Sequence, residues 1–114
     1  PSMIQNGGGK IINILSVVTH KIFLNSSAYS ASKMGLLGFT NVLREELRKD
    51  NIKIINIIPG ATETPIWSSE IRKKYSNRMM KPDEIASLLV WIYLNNENMI
   101  TEEIVIRPVE GDLS

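Results

Sequence analysis

Lys10-Ile11-Ile12-Asn13-Ile14-Leu15-Ser16 is an apolar run that ends on a hydroxyl. Its near-continuous Ile/Leu character suits a strand covered on both faces, as strands of a parallel sheet are. Lys53-Ile54-Ile55-Asn56-Ile57-Ile58 repeats the pattern and stops at Pro59-Gly60, and Glu102-Glu103-Ile104-Val105-Ile106-Arg107 offers a third strand. A helical stretch over residues 27–49 separates the first two strands. A second helix, opening at Lys81-Pro82-Asp83-Glu84, separates the second from the third. Strands alternating with helices predict an α/β fold with a parallel sheet, here of three strands and two main helices.

In the first helix, Ser26 and Ser27 are candidate N-caps. Ala31, Met34, Phe39, Val42, Leu43 and Leu47 supply its apolar positions, and charges gather from Arg44 to Asp50. Gly35 and Gly38 each weaken a helix by about 1 kcal/mol relative to alanine, which points to close approach of another element as compensation. The second helix has proline in its first turn and acids at its positive dipole end. Ile85, Leu88, Leu89, Ile92 and Leu94 form its expected buried face. Residues 65–80, with Trp67 and the cationic Arg72-Lys73-Lys74, read as a lid, and residues 108–114 as a tail.

Tyr29 and Lys33 stand four apart on the first helix, so phenol and ammonium share a face. A neighbouring ammonium favours phenolate and lowers a tyrosine pKa from about 10 towards the range of a general acid or base. Ser16 lies thirteen residues before Tyr29, at the C-terminal end of its strand. That is where α/β proteins place ligands, and its hydroxyl can hold the same substrate oxygen that the tyrosine protonates. Gly60 permits close backbone approach to a ligand, and Thr62 and Thr64 follow it. Gly7-Gly8-Gly9-Lys10 invites comparison with a phosphate-binding loop, but the spacing fails and a strand follows where a helix is needed; a plain turn is expected. His20 is the sole histidine, with no acidic residue near it in sequence to orient it as a Ser-His-Asp triad requires, so it reads as an exposed loop residue.

The order of these elements resembles the short-chain dehydrogenase/reductase family, over roughly residues 9–108. Asn13-Ile14-Leu15-Ser16 is similar to the family's strand ending in the active-site serine, and Tyr29-Ser30-Ala31-Ser32-Lys33 to its Tyr-x-x-x-Lys helix. Ile57-Ile58-Pro59-Gly60-Ala61-Thr62-Glu63-Thr64-Pro65 resembles its Pro-Gly-x-x-x-Thr loop. The resemblance implies reversible hydride transfer between NAD or NADP and a small carbonyl or alcohol substrate. Tyr29 is then the proton donor or acceptor, Ser16 holds the substrate oxygen, and Lys33 assists Tyr29 and binds the nicotinamide ribose. Tyr29, Lys33, Pro59, Gly60, Thr62 and Thr64 are the implied cofactor-contacting residues. Ile22, Phe23 and Leu24 lie where the family usually contacts substrate; packing under the loop is the alternative. The first helix helps build the family's dimer interface, a role that Ala28, Ala31, Gly35 and Gly38 fit, with burial against the chain's own sheet as the alternative.

At 114 residues the chain is about half of what the family's Rossmann fold needs. It is therefore read as one partial unit over residues 1–114, the C-terminal portion of a doubly wound parallel sheet. The family's dinucleotide glycine turn, the residue that selects NAD or NADP, and its active-site asparagine are expected outside it. Activity is expected of the completed fold rather than of these residues alone, with the missing half or a homo-oligomer as partner. A non-catalytic fragment or interaction remnant of such an enzyme is the alternative.

Thirteen basic against twelve acidic side chains leave no field for steering nucleic acid or an anionic membrane. No apolar stretch approaches the length of a membrane span, and Pro1-Ser2-Met3 does not begin a signal peptide. With no cysteine, disulfides, thiolate catalysis and cysteine-based metal sites are excluded, and no metal is expected. Composition suits a soluble cytoplasmic α/β unit.

Overall fold

The computed structural model describes residues 1–95 and 98–113. Along them run α1 (Ser2–Gln5), β1 (Gly9–Ile14), α2 (Ser27–Leu47), β2 (Ile52–Pro59), α3 (Ser69–Tyr75), α4 (Pro82–Asn95) and β3 (Glu103–Ile106). The three strands form one sheet in the order β1-β2-β3, with both pairs parallel. Ser114, the end of the expected tail, lies outside the described residues.

The central strand explains why the isoleucine run is unbroken. Ile54, Ile55, Asn56, Ile57 and Ile58 are all fully buried, because successive side chains point to opposite faces and both faces are covered. Ile58 packs with Leu15, Val17 and the α2 residues Leu36 and Leu37. Ile55 and Ile57 pack on the other face with Leu88, Leu89 and Ile92 of α4. Both connections step across the sheet in the same direction while their helices lie on opposite faces. They therefore cross with opposite hand, a departure from the usual right-handed rule. β1 is less enclosed than its composition predicts, and Ile14 is exposed.

Pro59 is tolerated inside β2 for a geometric reason. Asn56 and Gly60 donate their N–H groups to Glu102 and Ile106 on the β3 side. Alternate residues face alternate neighbours, so the nitrogen of Pro59 faces β1, whose pairing stops at Ile57.

Helix α2 differs from its expected pattern. Met34, Phe39 and Val42 are exposed, and the face towards the sheet carries Leu36, Leu37, Thr40 and Arg44, the last two buried. Thr40 donates to its own helix at Leu36 O and accepts from Asn56 Nδ2 at 2.9 Å. Asn13 Nδ2 donates to Asn56 Oδ1 at 3.2 Å. Arg44 donates to Ile54 O at 2.8 Å, Asn41 Oδ1 at 2.9 Å and Glu102 O at 2.8 Å. The seam between helix and sheet is polar and satisfied, so its burial is tolerated. Arg44 thus leaves the exposed charged cluster in which it was expected.

A Cβ at Gly35 or Gly38 would meet nothing within 4 Å. The expected close approach, and burial against the chain's own sheet, are absent within the described chain. The expected N-cap is Ser26, but its hydroxyl donates back to Phe23 O at 2.6 Å rather than capping the helix. Leu94, expected on the buried face of α4, is exposed. The glycine stretch is a turn preceded by a short helix. Gly8 has φ +144°, and a Cβ there would lie 2.7 Å from Asn51 O.

Candidate active site

Parallel strands in this register bring three loop origins to one edge of the sheet. Ile14 lies opposite Ile57, and Pro59 opposite Ile106, so the chain leaves β1 at Leu15, β2 at Gly60 and β3 at Arg107 on the same side. Between these loops and the start of α2 lies a cavity of about 470 Å³.

Ser16, Tyr29, Pro59, Gly60, Thr62 and Thr64 all line that cavity. The backbone of Ser16 caps a 3-10 turn, Val17–Thr19, and its Oγ accepts from Val18 N at 3.3 Å. Accepting there leaves the serine O–H as a donor. Tyr29 sits in the first turn of α2 and is 42% exposed, so its ring is accessible from the cavity. The Lys33 ammonium lies 5.7 Å from the Tyr29 ring centroid, as their i, i+4 spacing dictates. Lys33 does not itself line the cavity.

The second strand's loop is fixed by its own hydrogen bonds. Thr62 Oγ1 donates to Gly60 O at 3.0 Å, Trp67 Nε1 to Thr62 O at 2.9 Å, and Trp67 N to Thr64 O at 3.1 Å. Gly60 is crowded by the chain itself, since a Cβ would lie 3.2 Å from Pro108 Cδ. The stretch expected to be a lid leaves and returns at one place. Met80 N donates to Ala61 O, Glu63 N to Met80 O, and the Glu63 carboxylate accepts from Ser76 Oγ and from Lys81 Nζ at 3.1 Å. These bonds, first from Ser76 and then from Lys81, hold the Glu63 carboxyl below the usual carboxylate range.

Of the apolar trio after β1, Phe23 lines the cavity, while Ile22 and Leu24 are exposed. His20 is exposed, and the fold supplies the acidic neighbour that its sequence surroundings lack. Its Nε2 lies 3.7 Å from Glu103 Oε2, and its Nδ1 meets Thr19 Oγ1 at 2.8 Å. Asp112 and Leu113 also line the cavity, and sequence reasoning left both in a tail. The pairing of Asp112 with Lys21 and Arg107, 91 and 5 residues away, and the bond from Arg78 to its backbone oxygen draw them in. Among the described residues no group of three His, Cys, Asp or Glu side chains is placed to hold a metal ion. No described helix is long and apolar enough to cross a membrane.

A phenol, a serine and two threonines, spaced around a cavity whose remaining side chains are apolar but for the ion-paired Asp112, suit an uncharged, flat, hydrogen-bonding ring beside a carbonyl. A nicotinamide and a carbonyl substrate fit that donor set.

A family model described as short chain dehydrogenase matches residues 1–75. The chain is 37% identical over 111 residues to a sepiapterin reductase of Chlorobaculum tepidum, covering 97% of this chain and 45% of that protein. A solved 7α-hydroxysteroid dehydrogenase complexed with NADH and 7-oxo glycochenodeoxycholic acid superposes with a TM-score of 0.84 at 23% identity. That likeness covers all of this chain and 48% of the other. L-Sorbose reductase from Gluconobacter frateurii, complexed with NADPH and L-sorbose, gives 0.81 at 22% identity over 95% of this chain and 49% of its own. At those identities the two structures speak to the fold alone, and the chain spans about half the length of these relatives.

Proposed function

The chain belongs to the short chain dehydrogenase family, and from that premise we propose that it carries the catalytic and substrate-facing part of an NAD- or NADP-dependent oxidoreductase. The reaction is hydride transfer between nicotinamide and a small carbonyl or alcohol. The observation that carries the proposal is convergence. Ser16 from the end of one strand, Tyr29 from a helix, and Pro59, Gly60, Thr62 and Thr64 from the end of another line one cavity.

In the reducing direction the Tyr29 phenol gives its proton to the carbonyl oxygen, and in the oxidising direction it takes that proton back. Ser16 donates its O–H to the same oxygen, holding it within reach of the tyrosine and steadying the negative charge that grows on it. Lys33 places positive charge beside the Tyr29 ring and would hold the ribose of the nucleotide. Pro59, Gly60, Thr62 and Thr64 would hold the carboxamide side, and Trp67, docked on Thr62, would keep water from the reacting atoms. The bound dinucleotide supplies or accepts the hydride, and the protein supplies orientation and charge.

The open edge of β1 and the exposed α2 face of Met34, Gly35, Gly38, Phe39 and Val42 are, in the same proposal, covered by further polypeptide or by a second copy. That further polypeptide would also hold the pyrophosphate end of the dinucleotide.

The test is isotopic. The polypeptide that contains this sequence is incubated with reduced nicotinamide dinucleotide carrying deuterium at both positions of ring carbon 4, and with an aryl ketone. Deuterium on the carbinol carbon of the product supports hydride transfer. Product without deuterium at that carbon, or no dinucleotide-dependent turnover of any ketone in a chemically broad panel, counts against it.

A further inference from the structure

Residues 108–113 leave β3 and turn back over the sheet edge. Gly111, at φ +87°, closes the turn by donating its N–H to Pro108 O at 2.9 Å. The turn is held by cations from three separate parts of the fold. Lys21 Nζ, from the loop after β1, lies 2.9 Å from Asp112 Oδ2, and Arg107 Nη2, at the end of β3, lies 2.7 Å from it. Arg78, at the end of the stretch after α3, donates to the backbone oxygen of Asp112 at 3.0 Å and to that of Glu110 at 3.4 Å. The Asp112 side chain is only 4% exposed. Burial alone works to raise its pKa, but the hydrogen bonds from Lys21 and Arg107 outweigh it, and the carboxyl stays below its usual range.

The position of this turn has a chemical consequence. Among the described residues, Asp112 is the one charged side chain lining the cavity, and its single negative charge is shared by two cations that do not line it. Around it the wall is apolar, with Val18, Phe23, Ile66, Trp67 and Leu113. A cation entering here loses water and meets only a carboxylate already engaged by two cations, while an anion meets no cation on the described wall.

We propose that residues 108–113 are a specificity strap, locked by the Lys21–Asp112–Arg107 pairing, that makes the cavity select uncharged apolar carbonyl compounds over charged ones of the same shape. This rests on the reading of the cavity as a site of carbonyl reduction. The strap forms a wall and its lock keeps a carboxylate from acting as a receptor for cationic substrates.

Three probes built on one acetophenone core test it: 4-tert-butylacetophenone, which matches the cation in shape, 4-acetylbenzoate and 4-acetyl-N,N,N-trimethylanilinium. Each is titrated calorimetrically, and assayed for turnover, with the dinucleotide-loaded polypeptide that contains this sequence. The neutral ketone should bind at least tenfold more tightly than either ion. In a Lys21→Met/Arg107→Met variant the freed carboxylate should improve the cationic probe at least tenfold relative to the neutral ketone, and adding Asp112→Asn should cancel that gain. If the double variant fails to fold, Lys21→Met alone should move the ratio the same way by about threefold. Equal binding of the three ketones by the wild type, or a cation preference that neither variant moves, overturns the strap. Selective binding without turnover leaves the strap standing and counts against carbonyl reduction instead.

Discussion

Replacing Arg44 by methionine tests how α2 is held to the sheet. Arg44 lies on α2, the helix that carries Tyr29 and Lys33, and is 6% exposed. Its Nε donates to Ile54 O and its Nη2 to Glu102 O, both at 2.8 Å. Ile54 points its carbonyl to the β3 side, yet β3 begins only opposite Asn56, so no strand residue caps that oxygen. Arg44 closes the gap where the sheet opens. Hydrogen bonds from a charged donor contribute about 1.5–3 kcal/mol each. The bond to Asn41 is discounted because water replaces it at an exposed side chain, and that to Glu102 O in part because Asn56 N also serves it at 2.9 Å. Removing the desolvated guanidinium offsets part of the remainder, since methionine is at ease in apolar surroundings. The net expected loss is about 2–3 kcal/mol. Arg44→Lys should lose nearly as much, because an ammonium cannot span both carbonyls as the planar fork does. Urea denaturation of the polypeptide containing this sequence, with a shared m-value, reads both variants. A change below about 0.5 kcal/mol, the range of ordinary surface substitutions, would refute the clamp.

Gly8→Ala should destabilise the fold, because the added Cβ meets the Asn51 backbone oxygen at a φ of +144°; a melting temperature equal to wild type contradicts this. Gly38→Ala should raise helix stability by about 1 kcal/mol in the dissociated chain, where the Cβ meets nothing, and weaken association if the α2 face is covered by a second copy; sedimentation and dilute melting separate the two effects. Asp112 has a folded pKa below its unfolded value of about 3.9, so its contribution is present above about pH 4 and lost as pH falls through the folded pKa. Asp112→Asn should therefore lower stability at neutral pH and flatten the acid limb; an unchanged acid limb denies the ion pairs their role.

The central strand was legible because burial on both faces leaves an unbroken apolar run, and Ile54–Ile58 shows it. Ser16, Tyr29, Pro59, Gly60, Thr62 and Thr64 were legible because local order and strand ends place them together. Helix α2 was read less well. Apolarity marks Met34, Phe39 and Val42 as interface residues but does not say whose interface, while Thr40 and Arg44 look like surface until Asn56 and the Ile54 carbonyl are seen beside them. Asp112 on the cavity wall, Glu103 beside His20 and Glu63 gripping Ser76 and Lys81 depend on contacts between distant loops. Such pairings leave no periodic trace in a chain.

The central claim is that Tyr29 moves the proton that accompanies hydride transfer. A single-turnover measurement with Tyr29→Phe, dinucleotide pre-bound and acetophenone in excess, reads that step without product release. The rate should fall at least 10²-fold, on the usual scale for general acid–base catalysis, while dinucleotide affinity changes by less than about twofold. A single-turnover rate equal to wild type would contradict the account.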